Sequence, residues 1–267
     1  MDIGALLSDS FTYAQEALVG KWTRWAIFIL FAFPFSLIQF TFDPKNIMTG
    51  TTINWGAVPW GQIAALAALG FILSFFISGY SVRIYRGIKP APDFTGWTDL
   101  FIDGVKLAIV WFLWMLPLII VLAAGIAIAI AGFLSTQATA MPNLTLLLLL
   151  LLLLLVELVL MVIVFLFGII GAIRFARTGS IREGVRISAI LNTIRTMGWM
   201  SYIILLIGFI IAAVIYAVIA GILSAVPFIG WVLALIVNPF FMIFTARYFT
   251  LVYDQGEPHP VPPAPVV

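Results

Sequence analysis

Few side chains in this sequence could carry chemistry. The most unusual is Glu157, which follows an unbroken leucine run from Leu146 to Leu155 and sits between Val156 and Leu158. A charged group at the centre of a bilayer costs about 2.5–3.5 kcal/mol on insertion scales. Buried carboxyls generally respond by staying protonated. Such a residue reads either as a proton or cation site lining a pathway, or as a protonated group hydrogen-bonded to a neighbouring helix. Tyr216, Asn238, Ser74 and Ser78 are the candidate partners, and the sequence does not choose among them. A second cluster of acids, Asp93, Asp99 and Asp103, lies where a lipid-modifying site would need acids and bases. Asp99 and Asp103 share a helix face, and the favourable charge at a helix N-terminus explains them more simply.

Other chemistries are closed by composition. Cysteine is absent, which removes disulfides, thiolate metal sites and cysteine nucleophiles. The one histidine, His259, lies in a proline-rich stretch, so neither a histidine metal site nor a Ser-His-Asp triad is available in the apolar body. No metal and no cofactor is expected. A net charge of +2 gives no reason to expect nucleic-acid binding.

The elements that must position Glu157 are apolar helices. Of 267 residues 64% are hydrophobic and 9% charged, against roughly 25% charged in a soluble domain. A bilayer core needs about 20 apolar helical residues. Six runs qualify: 25–42, 60–81, 106–133, 145–173, 200–224 and 231–253. The expected fold is therefore all-α and polytopic, with six transmembrane helices as three hairpins in one domain over 1–253. A disordered proline-rich tail is expected over 254–267.

Basic residues set the expected orientation. Lys21 and Arg24 precede the first span; Arg83, Arg86, Lys89 and Lys106 follow the second; Arg174, Arg177, Arg182, Arg186 and Arg195 follow the fourth; Arg247 ends the sixth. The opposite side holds Lys45 alone. The positive-inside rule then puts both termini in the cytoplasm. Arg174, Arg177, Arg182 and Arg186 are candidates for anionic lipid headgroups, at about 1 kcal/mol per residue, although topology alone explains their placement. Asn143-Leu144-Thr145 is a glycosylation triplet too close to the membrane to expect its use.

Amphipathic segments at 2–20, 97–106 and 181–196 should lie in the interface before successive hairpins, within cytoplasmic linkers 82–105 and 174–199. The order of amphipathic segment, span, outer turn, span and basic exit recurs over 2–86, 94–177 and 181–250, which suggests a parallel internal repeat. The exits are similar: Arg83-Ile84-Tyr85-Arg86, Arg174-Phe175-Ala176-Arg177 and Arg247-Tyr248-Phe249.

One stretch resembles a known family. It runs from Gly79-Tyr80-Ser81-Val82-Arg83 through Pro92-Asp93-Phe94-Thr95-Gly96-Trp97-Thr98-Asp99 to Phe101-Ile102-Asp103-Gly104-Val105-Lys106. The linker resembles that of archaeal and bacterial membrane proteins known as a domain of unknown function, number four thousand and thirteen. The resemblance implies a prokaryotic, archaeal-type protein of the plasma membrane. It carries no activity and no site residue, and Glu157 lies outside the motif. Three functional expectations follow, in order. The first is a non-enzymatic homo-oligomer, structural or pore-forming, with the lipid bilayer and copies of itself as partners. The second is a transporter or permease for a small solute or ion using Glu157. The third is a membrane-embedded lipid enzyme.

Overall fold

The computed structural model describes residues 2–41, 47–49, 52–135, 144–227 and 229–256. Lys45, Asn143, Phe228 and the stretch 257–267 with His259 lie outside the described residues.

Helices dominate: α1 Ile3–Leu18, α2 Trp22–Leu37, α3 Trp60–Tyr85, α4 Trp97–Ser135, α5 Leu144–Thr178, α6 Ile181–Gly184, α7 Ile187–Met197, α8 Trp199–Ser224 and α9 Gly230–Asp254. Two strands, β1 Met48–Thr49 and β2 Thr52–Ile53, pair antiparallel between α2 and α3. Six helices are long and apolar enough to span a bilayer: Trp22–Thr41, Trp60–Tyr85, Trp97–Gly132, Leu144–Thr178, Trp199–Ser224 and Gly230–Asp254. They match the six apolar runs.

Two compact units are present, Met1–Leu107 with Thr193–Val267, and Ala108–Asn192. In the first, α1 packs along α9, α2 lies on α3, and α9 also touches α2, α3 and α8. Asp2 caps α1, its Oδ1 accepting from the Ala5 N–H at 3.1 Å. Gly20 (φ 75°) and Gly198 (φ 87°) stop α1 and α7 in a left-handed conformation open to glycine. Each is followed almost at once by a tryptophan that opens a span, Trp22 or Trp199.

The segment 97–106 behaves differently from its expected form as a separate interfacial helix. It is the first turns of α4, which runs on without a break to Ser135. Gly104 lacks the positive φ that stops α1 and α7, so nothing ends the helix there. The segment 181–196 is divided in the other sense, into the single turn of α6 and then α7.

The crossing of α3 and α4 explains why the linker motif has glycines where it does. A Cβ added at Gly79 would fall on the Leu100 carbonyl oxygen and 2.7 Å from its carbon. One added at Gly104 would fall on the Phe75 carbonyl oxygen and 2.6 Å from its carbon. Two backbones therefore touch directly, as small residues allow between membrane helices. Aromatic rings seal the crossing: Phe94 stacks on Tyr80 at 4.7 Å and on Trp97 at 5.9 Å, and Phe101 meets Phe75 at 5.5 Å and Phe76 at 5.2 Å.

The second unit is the α4–α5 hairpin with α6. Near the arginine end it is tightly packed. Trp114 Nε1 donates to the Gly184 carbonyl at 3.1 Å, Trp111 covers Gly168, and Val110, Ile170, Ile173 and Phe175 are fully buried. Towards Leu144 the packing thins, and large apolar side chains such as Ile120, Leu148, Leu154 and Val159 are exposed. A lipid environment accommodates such a surface without penalty.

Candidate functional site

Glu157 lies on α5 about 20 Å along the axis from Leu144 and about 25 Å from Arg174, at 1.5 Å per residue. It is half-buried at the edge of an open groove between α4 and α5, about 230 Å³ in volume. The other lining residues are Val121, Leu122, Gly125, Ile126, Ala129, Leu150, Leu153 and Leu154, all apolar. Gly125 leaves its part of the groove wall open: a Cβ there would reach only Leu153 Cδ1, at 3.8 Å. Glu157 Oε2 is shielded and has no hydrogen-bond partner among the described residues. It is also the sole ionisable residue between Lys106 and Arg174, so no countercharge comes from these two spans.

The residues suggested as its partners all belong to the other unit. Tyr216 donates its hydroxyl to Asn238 Oδ1, and its ring stacks on Phe241 at 3.9 Å. Ser74 Oγ donates to the Phe71 carbonyl of its own helix at 2.7 Å. Ser78 lies one turn further along α3 and is half-buried.

The arginines after α5 form a partly neutralised cluster. Glu183 accepts from Arg174 at 2.9 Å and from Arg186 at 3.1 Å. The hydrogen bonds from these two guanidiniums hold its carboxyl below the usual carboxylate range. Arg182 is exposed on α6, and Arg177 is half-buried at the end of α5. The cluster keeps an excess of positive charge that suits an anionic headgroup.

A polar seam fixes α1 to its unit. Asp9 accepts from Arg247 Nε and Lys89 Nζ, both at 2.8 Å. Partial burial pushes the Asp9 carboxyl up, but the two cations outweigh it and the net shift is downward. Arg247 also lies over the Tyr13 ring at 5.1 Å, while Tyr13 donates its hydroxyl to the Ile88 carbonyl at 2.9 Å. Burial raises that hydroxyl to about 12, so it remains a donor at neutral pH. The three aspartates do not converge on one centre. Asp93 is held by Arg24 at 2.5 Å, Asp103 by Arg86 at 2.7 Å, and Asp99 stands in the first turn of α4.

One surface escaped reading from sequence. Ala123, Ala127 and Ala131 are exposed on α4 at four-residue spacing, beside a ridge of Leu122, Ile126 and Ile130. The signal is the alternation Ala127-Ile128-Ala129-Ile130-Ala131, which looks like generic apolar filler until helix phase is applied.

Six helices among the described residues that are long and apolar enough to span a bilayer mark an all-helical, multi-pass membrane protein. Within that class, the family model described as "Protein of unknown function (DUF4013)" matches residues 62–225, more than half of the chain and inclusive of the Gly79–Lys106 motif. The chain belongs to that family. No curated protein and no solved structure matches it.

Proposed function

We propose that the chain is a non-enzymatic membrane component that works as a homo-oligomer, with α4 as the contact helix. The observation that carries this reading is the exposed stripe of Ala123, Ala127 and Ala131. Between membrane helices there is no hydrophobic drive to associate, since lipid is as apolar as leucine; close approach over small residues supplies the attraction instead. The Leu122–Ile126–Ile130 ridge of one copy fits the alanine valley of another, in the manner of ridges packed into grooves. The paired state of Asp9, Asp93, Asp103 and Glu183 supports a structural rather than catalytic role for the acids outside the spans. The clustering of basic residues at one set of helix ends supports a cytoplasmic position for both termini in a prokaryotic plasma membrane.

The absence of cysteine makes the test direct. A single Ala127→Cys substitution should cross-link into a covalent dimer under mild oxidation in membranes. A cysteine at Ser8 should be labelled only from the cytoplasmic side. Native mass spectrometry should give a multiple of the 29.4 kDa chain, reduced to a monomer by Ala127→Leu. A monomeric wild-type protein that never cross-links through position 127 sinks the reading. The groove at Glu157 favours a second reading, a permease for a small solute.

A further inference from the structure

We infer that the groove between α4 and α5 is a binding site for a monovalent organic cation with an apolar body, held by Glu157. This deepens the permease reading, but association between copies is not required for it, because every lining residue comes from one hairpin of one chain.

Three observations on the groove converge. First, its carboxyl lacks a partner: Glu157 is the single ionisable residue from Leu107 to Ile173, and its shielded Oε2 meets no donor among the described residues. Second, the walls are aliphatic throughout, so the occupant must be satisfied by one carboxylate and otherwise by hydrocarbon contact. Third, the space is sized for a small molecule, at about 230 Å³ just below the roughly 300 Å³ at which ligand pockets usually begin.

These features exclude the obvious alternatives by chemistry. A hard metal ion needs six or more oxygen ligands for Ca²⁺, or a near-octahedral set for Mg²⁺, and one carboxyl among leucines provides neither. An anion would face a carboxylate with no basic side chain beside it. A neutral apolar molecule would fill the walls and leave the carboxyl unsatisfied, at the penalty of a buried polar group without a partner. An organic ammonium satisfies both requirements. Its charge neutralises the carboxylate in a low-dielectric site, where the attraction is far stronger than in water. Its alkyl or aryl body replaces lipid against Leu150, Leu153 and Val121. The terminal torsion of a glutamate is broad, so the carboxyl can turn towards the ligand at little cost.

The test uses phenyltrimethylammonium and its neutral isostere tert-butylbenzene, with the full-length protein in mild detergent and equilibrium dialysis as the readout. The cation is expected to bind saturably to the wild type, and the neutral isostere is not. Glu157→Gln should weaken cation binding at least tenfold. Gly125→Leu, which fills the groove without touching the carboxyl, should do the same. Ala127→Leu, which addresses association between copies, should leave binding unchanged. Absence of saturable cation binding overturns the assignment, as does equal binding by Glu157→Gln or equal binding of tert-butylbenzene. Loss of binding in Ala127→Leu places the site at a subunit contact and overturns its assignment to one hairpin.

Discussion

Replacing Gly104 by alanine tests the α3–α4 crossing. The added methyl would lie 2.6 Å from the Phe75 carbonyl carbon, where carbon atoms prefer about 3.5–4.0 Å. The obstacle is backbone, which cannot swing away as a side-chain tip can. The helices must therefore part by about 1 Å, and a gap of that size forfeits a quarter to a half of each dispersion well. Phe75–Phe101, Phe76–Phe101 and Phe76–Trp97 all cross this contact. Aromatic pairs contribute about 0.5–1.5 kcal/mol each beyond area, and overpacking adds about 1–3 kcal/mol. The expected loss is about 3 kcal/mol, roughly a hundredfold in the folded-to-unfolded ratio. Gly61→Ala is the matched control, since its methyl meets nothing within 4 Å. That substitution should be neutral or raise stability by a few tenths of a kcal/mol through helix propensity. The assay is thermal unfolding of both variants in detergent, followed by tryptophan fluorescence and by loss of monodisperse protein. Equal melting temperatures for Gly104→Ala and Gly61→Ala would refute direct backbone contact at this crossing.

Two further outcomes concern the charged ends. Asp9 is held below its ordinary value of 3.8 in the folded protein, so its stabilisation is complete above about pH 3.8 and is lost as pH falls through the depressed value. Asp9→Asn should accordingly be less stable than wild type at pH 7, by about 1 kcal/mol for a part-exposed carboxylate on a buried guanidinium, and the two melting curves should converge only once pH has fallen through the depressed value; a gap that persists at still lower pH counts against the ion pair. Glu183→Gln should release Arg174 and Arg186 from their shared acid and increase the anionic lipid that co-purifies, measured by native mass spectrometry; unchanged lipid content would remove this cluster from headgroup binding.

The spans were legible in sequence because each is a contiguous apolar run, and insertion into a bilayer is decided by local composition. The continuity of α4 was harder to see. Asp99, Asp103 and Lys106 read as a break in hydrophobicity, whereas a helix needs only unbroken backbone hydrogen bonding and runs straight through them. Gly20 and Gly104 look alike as letters; one stops a helix at positive φ and the other lets two helices touch. Pairings such as Arg24 with Asp93, 69 residues apart, depend on how hairpins meet, which periodicity does not encode. Glu157 was conspicuous as a lone acid, but its groove was not, because the facing wall comes from a different helix.

The contact of Asp9 with Arg247 joins residues 238 positions apart, the widest-spaced hydrogen bond described in the chain. During synthesis at about 5–20 residues per second, α1 emerges roughly 12–50 s before its seat on α9 exists. For that interval α1 has only its earlier-made neighbours, α2 and the Ile88–Lys89 turn, and the bilayer surface, which its amphipathic face suits. The α4–α5 hairpin, contiguous from Ala108 to Asn192, has no such wait and can be complete while the ribosome is still translating. The order of closure thus differs between the two units: the one contiguous in sequence can close early, and the one that joins α1 to α9 closes only after α9 has been made.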